Sequence, residues 1–229
     1  AESKPGEERA PVTPAGARRL LDAGVQLTVE TSPQRVFHDQ EYASAGATLV
    51  ATGAWSGAPA DAVVLGIKEL PVDTAPLTHR HVYFAHAFKE QKGWQDVLLR
   101  FKNGGGALYD LEYLKREDGR RVAAFGYWAG YVGAAVGVLA AAHLRSHPTV
   151  PMSGVRPWPT RAALIEACTA ALAGAPAPAS IVLGAKGRSG SGAAALLAAV
   201  GAPTPLWDLE ETRAGGPFAA ILSHELFVN

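Results

Sequence analysis

The chain has 229 residues, of which 48% are hydrophobic and 18% are charged, and its formal net charge at pH 7 is zero. This length and composition allow one large or two small domains with a sizeable core. Because lysine plus arginine equals aspartate plus glutamate, nothing favours a nucleic-acid-binding surface or an acidic tail. The single cysteine, Cys168, rules out an intrachain disulfide, and residues 1–9 lack the apolar core of a secretory signal. We therefore expect a cytoplasmic location and no nucleic-acid partner.

Helix-like and strand-like segments alternate through the first half of the chain. Strands are predicted at 25–29, 47–51, 61–67, 82–86 and 107–109, and helices at 14–23, 39–45 and 91–102. Strands separated by helices pair in parallel, so the predicted fold class is α/β with helices on both faces of the sheet. Ligands bind beyond the carboxyl ends of such strands, where Lys68, His86 and residues 110–112 lie.

Residues 122–142 carry no charge, and this run is long enough to cross a membrane. Alanine and glycine dominate it, and such small residues have weak affinity for lipid but allow close helix packing. We therefore predict a buried helix at 126–145 that connects two domains, and no membrane partner.

A glycine-rich segment in the second half has the layout of a dinucleotide-binding βαβ unit. Residues 180–192 have the sequence SIVLGAKGRSGSG and lead through a small-residue helix to a second strand at 205–207. Glycines let a pyrophosphate approach the helix N-terminus, and an acid after the second strand can bond the ribose hydroxyls and disfavours NADP. We predict that NAD is bound by Gly184, Gly187, Arg188, Ser189, Gly190 and Asp208. Ala185 departs from a strict G-x-G-x-x-G pattern, so a purely structural turn is the alternative.

Residues 226–229 are predicted to form a third strand of the nucleotide fold, whose complete sheet has about six strands. We therefore expect two Rossmann-like parallel-sheet domains, of which the second is incomplete, and a protein longer than this chain. An apolar strand left uncovered at that edge would favour self-association. We assign 1–125 to a substrate domain, 126–145 to the interdomain helix and 146–229 to the first half of an NAD-binding domain.

Several motifs, in chain order, carry a resemblance to a known family. They lie at residues 2–5 with 8–9, at 66–69, 84–86, 108–112 and 119–126, and at 184–192. Together they resemble the NAD-dependent, lysine-forming saccharopine dehydrogenases of the wider alanine dehydrogenase-like group. The resemblance covers nearly the whole chain. It implies oxidative deamination of saccharopine to lysine and 2-oxoglutarate, with reduction of NAD.

The resemblance also implies roles for individual residues. Lys68 would take the proton of the substrate amine. His86 would drive the addition of water to the resulting imine and the collapse of the carbinolamine that forms. Glu69 and Glu112 would lie beside this pair and stabilise the protonated forms of both groups. Saccharopine has three carboxylates, and charged or polar partners for them would be Arg9, Lys89, Gln91 and Arg121.

Other interpretations stay open beside this one. Without the resemblance, Lys68 would be a solvated strand-end lysine and His86 a structural histidine. The chain could belong to another enzyme of the same architecture, an alanine dehydrogenase or a lysine–oxoglutarate reductase. It could also be a non-catalytic fragment that binds dinucleotide or dicarboxylate. No metal is expected, because the histidine pairs 79/81 and 143/147 lack a third ligand at usable spacing.

Overall fold

The computed structural model describes residues 1–2, 4–68, 70–202, 204–213 and 226–228. The chain forms two compact units, Ala1–Ala124 and Phe125–Asn229. The strands in both units pair in parallel, and the α/β fold class predicted from the sequence is confirmed. The helix predicted at 126–145 packs within the second unit.

The first unit alternates helices and strands, as its sequence predicts. Its elements are α1 (Pro14–Asp22), β1 (Thr28–Glu30), α2 (Asp39–Ser44), β2 (Thr48–Val50), β3 (Val63–Leu65), β4 (Arg80–Tyr83), α3 (Trp94–Gly104) and β5 (Ala107–Asp110). Strands β1 and β2 form one parallel pair, and β3, β4 and β5 form a separate parallel sheet in that order. The elements begin or end up to three residues away from the predicted bounds, because periodicity locates an element better than its termini.

Local chemistry explains where the first helix begins. Pro14 occupies the first turn of α1, where a missing N–H costs nothing, and the Thr13 hydroxyl accepts the N–H of Gly16 at 3.0 Å. The helix then buries Ala17 against Tyr42 of α2. The Tyr42 hydroxyl donates to the carbonyl of Val12 at 2.7 Å, so this buried ring has a partner for its polar atom.

The described residues of the second unit contain a three-stranded sheet. The elements of this unit are α4 (Gly126–Ser146), α5 (Arg161–Leu172), β6 (Ser180–Leu183), α6 (Arg188–Ala199), β7 (Leu206–Trp207), α7 (Leu209–Arg213) and β8 (Leu226–Val228). Strand β6 lies between β7 and β8 and pairs in parallel with both. The strand order therefore changes direction at β6, and in open α/β sheets a ligand crevice forms at such a point.

Helix α5 is absent from the sequence-based prediction. Its buried residues Leu164, Cys168 and Leu172 are spaced four apart, and the Thr160 hydroxyl accepts the N–H of Ala163 at its N-terminus. Both are ordinary helix signals. The alanines between the buried positions conceal them, because they leave little contrast between the two faces of the helix.

Helices α4 and α6 cross at very short range. A Cβ atom on Gly130 of α4 would lie 1.9 Å from the carbonyl oxygen of Ser189, and one on Gly192 of α6 would lie 1.9 Å from that of Tyr127. Tyr131 and Val138 of α4 are fully buried in the core of this unit. By length and composition alone α4 is also apolar enough to cross a membrane, a test that core helices pass as well.

The helix crossing predicts opposite effects for two glycines of α4. Gly130→Ala should lower the free energy of unfolding by about 1–3 kcal/mol, because its methyl group would meet a backbone carbonyl. Gly133→Ala should raise it by about 0.5–1 kcal/mol, because a Cβ there meets nothing within 4 Å and alanine favours the helix. Urea denaturation of both variants measures the difference. Equal stability of the two would contradict the close crossing.

Candidate functional site

Three neighbouring strands of the first unit end at one edge of their sheet. Strands β3, β4 and β5 are parallel and adjacent, so their carboxyl ends point the same way. The pairing continues past the strands, where the Phe84 N–H donates to the carbonyl of Ile67 at 3.3 Å. Lys68, His86 and Glu112 each follow one of these strands within three residues. Residues that are far apart in sequence therefore lie at a common edge.

The Glu112 carboxylate is the centre of a cluster at this edge. It accepts a hydrogen bond from Lys89 Nζ at 2.5 Å and one from a terminal guanidinium nitrogen of Arg121 at 2.7 Å. His86 Nδ1 lies 3.7 Å from Oε2, within ion-pair reach but beyond hydrogen-bond distance. The Asp110 carboxylate accepts the Glu112 N–H at 3.0 Å and so orients the backbone. The structure thus brings together four of the predicted site residues.

The two cations determine the charge state of Glu112. The hydrogen bond from Lys89, with smaller contributions from the charges of Arg121 and His86, holds the pKa of this carboxyl below its ordinary value. The Glu112 side chain is only 11% exposed, so its charge is weakly screened. The negative charge of Glu112 is therefore shared among Lys89, Arg121 and the nearby ring of His86.

The backbone at His86 has an uncommon conformation. His86 has φ of 51° and Glu90 has φ of 53°, both in the left-handed region, and a short 3₁₀ turn at Ala87–Lys89 lies between them. Such residues cost of order 1–3 kcal/mol each and concentrate at functional sites. The turn places His86 and Lys89 against the same carboxylate, and the His86 ring stacks on Phe84 with ring centres 6.2 Å apart.

A second pair of opposite charges involves Arg9. Its guanidinium donates to both carboxylate oxygens of buried Glu7, at 2.7 and 2.6 Å. These bonds, aided by the charge of Lys68, lower the pKa of Glu7. Glu7 was not among the predicted site residues, although an acid two positions before a candidate arginine was a visible signal. The Arg9 side chain is 48% exposed, so its guanidinium group is paired with Glu7 but still faces solvent.

The remaining predicted residues of the first unit are less informative. Lys68 is half-buried, whereas the side chain of Gln91 is exposed. Glu69 lies outside the described residues. Their predicted roles stay predictions.

The buried ring of His81 packs among aromatic side chains. Burial, together with the nearby charges of His79 and Arg100, lowers the pKa of His81 to about 4. The neutral ring lies edge-on to Trp55 and Phe101, with ring centres 5.2 and 5.3 Å away. Among the residues that the structure describes, no three His, Cys, Asp or Glu side chains are grouped as metal ligands would be.

The glycine-rich loop of the second unit joins β6 to the N-terminus of α6. Gly184 has φ of 73°, which glycine adopts without strain, and Gly187 precedes the first helical residue, Arg188. A Cβ on Gly190 would lie 2.2 Å from the carbonyl oxygen of Gly184, so the turn requires glycine there. Glycine at the N-cap offers no side chain to the first-turn N–H groups. This arrangement leaves room at the N-terminus of α6 for an anion such as a pyrophosphate.

The Asp208 carboxylate lies against the same loop. Its oxygens accept the N–H of Leu209 and the N–H of Lys186, both at 2.8 Å. The hydrogen bond from the Leu209 N–H lowers the pKa of Asp208 most, and the one from the Lys186 N–H lowers it further. The acid after the second strand is therefore an ionised acceptor beside the glycine-rich turn. Its place at the carboxyl end of β7 fits the ribose of a dinucleotide.

The comparison with known families agrees with this architecture. Residues 1–132 match the family model of the alanine dehydrogenase/PNT N-terminal domain. The chain belongs to this family. The alanine dehydrogenase/PNT fold also extends over the second unit, because an L-alanine dehydrogenase structure superposes on all of the chain with a TM-score of 0.62 at 19% identity. The chain covers 59% of that structure.

Curated relatives confirm the resemblance found from the motifs. The chain is 47% identical over its whole length to a lysine-forming, NAD(+) saccharopine dehydrogenase of Yarrowia lipolytica. It is 45% identical over its whole length to the Schizosaccharomyces pombe protein of that name. It spans 64% and 65% of the length of these two relatives.

The Glu112 cluster predicts a pH-dependent contribution to stability. A carboxyl whose folded-state pKa lies below its ordinary value of 4.5 stabilises the fold fully above that value, and the contribution disappears as the pH falls through the folded-state pKa. Glu112→Gln should therefore lower the free energy of unfolding by about 1–2 kcal/mol at neutral pH. The difference in free energy of unfolding between Glu112→Gln and the wild-type protein should shrink below pH 4.5, the ordinary pKa of the carboxyl. Urea denaturation at several pH values measures it. Exposed Glu117→Gln is the control, and a difference that is constant with pH would contradict the assignment.

Proposed function

We propose that the protein is an NAD-dependent dehydrogenase that oxidises saccharopine to lysine and 2-oxoglutarate. The observation that carries the proposal is the cluster of His86, Lys89 and Arg121 around Glu112. It lies at the edge of the sheet where the carboxyl ends of β3, β4 and β5 meet, and Lys68 follows β3 at the same edge. The cluster occurs in a chain that is 47% identical to a saccharopine dehydrogenase. In this proposal the first unit binds the substrate and the second unit binds NAD.

The charges of the first unit suit a substrate with three carboxylates. Arg9, Lys89 and Arg121 are all partly exposed, and each is paired with a carboxylate of the chain itself. A substrate carboxylate can approach their solvent-facing donors while Glu7 and Glu112 keep the side chains in place. Arginine is the better partner because its planar fork matches a carboxylate with two parallel hydrogen bonds.

The reaction requires two groups that move protons. In saccharopine the secondary amine must lose a proton before the adjacent carbon can give up hydride, and neutral Lys68 accepts that proton. When bound, NAD accepts the hydride. His86 then takes a proton from the water that adds to the imine carbon and returns one to the departing nitrogen, which leaves as lysine. Saccharopine, NAD⁺ and water thus give lysine, 2-oxoglutarate, NADH and a proton.

The second unit supplies the dinucleotide contacts in this proposal. The glycine-rich turn and the first turn of α6 would receive the pyrophosphate, and Asp208 would accept hydrogen bonds from the adenosine ribose. A carboxylate at that position repels the 2′-phosphate of NADP. Lys186, whose backbone N–H is bound to Asp208, would be held at the entrance to this site.

A reductive assay distinguishes this function from its alternatives. The protein at its native length should oxidise NADH with lysine plus 2-oxoglutarate, but not with pyruvate plus ammonia, and NADPH should be a poor donor. Turnover with pyruvate and ammonia would identify an alanine dehydrogenase. A preference for NADPH would favour a lysine–oxoglutarate reductase. Binding of NADH without turnover would leave only a binding function.

Removal of either proposed acid–base group should slow turnover strongly. We expect Lys68→Met and His86→Gln each to lower kcat by about 10²–10⁴-fold, the usual loss for a general acid or base. The double variant should lose less than the product of the two if the groups act as a unit. Exposed Lys102→Met and His147→Gln are matched controls that should keep wild-type kcat. Full activity in Lys68→Met would remove this lysine from the mechanism.

The ribose contact predicts a graded effect on dinucleotide affinity. Asp208→Ala should weaken NADH binding by about tenfold or more, because hydrogen bonds to a charged acceptor are lost. Asp208→Asn keeps one oxygen acceptor and should lose less. Fluorescence titration with NADH measures both, with exposed Glu166→Gln as the control in the same unit. Unchanged NADH affinity in Asp208→Ala would contradict the placement of the ribose.

A further inference from the structure

An acidic side chain near the beginning of the described chain holds the backbone at Lys68. Glu2 accepts the N–H of Ile67 through Oε1 at 2.6 Å and the N–H of Lys68 through Oε2 at 3.2 Å. Glu2 belongs to one of the motifs that carry the family resemblance, but the sequence assigns it no role. Hydrogen bonds to an ionised acceptor are roughly twice as strong as neutral ones, so this carboxylate is an effective clamp.

The backbone that Glu2 holds lies just past the end of β3. Among the described residues β3 is an edge strand of the β3–β4–β5 sheet and pairs with β4. On that side Gly66 donates to Val82 at 3.0 Å, and the Ile67 carbonyl accepts from Phe84. The N–H groups of Ile67 and Lys68, just past the end of β3, instead have the Glu2 carboxylate as their acceptor, so these backbone donors have partners without a further strand.

The segment that carries Glu2 is itself held from outside the sheet. The side-chain amide of Gln34 shares its hydrogens among the carbonyl oxygens of Glu2, Lys4 and Glu7, at 3.0, 3.1 and 3.0 Å. Gln34 lies in the loop that follows β1. The position of the Glu2 carboxylate therefore depends on a tertiary contact between its own segment and the loop after β1.

Glu2 also lies close to the other charged groups of this part of the site. The pKa of Arg9 is raised chiefly by its hydrogen bond to Glu7, and the charge of Glu2 adds to this effect. Lys68 in turn acts on Glu7. Glu2, Glu7, Arg9 and Lys68 thus form one electrostatically coupled group.

We propose that Glu2 is a positioning residue for Lys68: by clamping the backbone of residues 67–68, it determines from which direction the lysine amine reaches the substrate nitrogen. This inference rests on the proposed acid–base function of Lys68. A catalytic group displaced by about 1 Å loses about 10²-fold in rate, so the clamp should have a large effect on turnover.

Turnover measurements separate positioning from a general structural role. In the protein at its native length, Glu2→Ala should lower kcat about 10- to 100-fold and leave the KM for NAD unchanged. Glu2→Gln keeps an oxygen for the Ile67 N–H and should lose less, and it replaces Glu2→Ala if that variant does not fold. Exposed Glu8→Gln removes the same charge from the same segment and should keep wild-type kcat.

In a Lys68→Met background, Glu2→Ala should have no further effect on kcat. Equal losses in both backgrounds would overturn the proposal.

Amide hydrogen exchange tests the contact without any need for activity. Exchange at Ile67 and Lys68 should be about tenfold faster in Glu2→Ala, whereas Phe84, which is bound to the Ile67 carbonyl, should keep its rate. Unchanged exchange at 67 and 68 overturns the clamp even in a fully active enzyme. A wild-type protein that does not turn over saccharopine refutes the proposed function alone, because the exchange rates still decide whether Glu2 holds the Lys68 backbone.

Discussion

Parallel hydrogen bonding between β3, β4 and β5 is the constraint on which the first unit's candidate site depends. A parallel register places the carboxyl ends of all three strands at one edge. Each strand is followed within a few residues by one chemically active side chain: Lys68, His86 or Glu112. A shift of one residue in the register would turn these side chains toward the opposite face. Strand pairing therefore sets the location of the site, independently of the contacts between its side chains.

Side-chain pairing then compensates the charges that this edge collects. Lys89 and Arg121 share Glu112, and Arg9 is matched by Glu7. Partly buried charges without partners would be costly, so cations at this edge need acids beside them. These acids also keep the cations in fixed orientations, which in the proposed function lowers the ordering cost of substrate binding.

In the second unit, the corresponding constraint is the close approach of backbones. Gly130 and Gly192 let α4 and α6 cross with no room for a Cβ, and Gly190 lets the first turn of α6 pack on the carbonyl of Gly184. The glycine-rich sequence therefore serves helix packing, in addition to the ligand approach that the proposed function requires. Because the same helix begins at the loop beside Asp208, packing in the core and the geometry of the loop are coupled.

The sequence alone determined the alternation of helices and strands, the glycine-rich turn with its following acid, and the candidate residues at strand ends. These depend on local patterns: apolar periodicity, turn chemistry and position relative to a strand. Helix α5 escaped prediction because its alanine-rich sequence has little contrast between buried and exposed faces.

Only the tertiary structure decided which charged groups meet. Glu112 pairs with Lys89 across 23 positions, and Glu2 reaches the backbone of Lys68 across 66. The paths of the intervening loops and the order of the strands bring such residues together, and no local pattern encodes that order. The left-handed backbone at His86 likewise belongs to the turn that brings its ring to 3.7 Å from Glu112. Residue identity limits which contacts are possible, whereas the strand order and loop paths select which of them form.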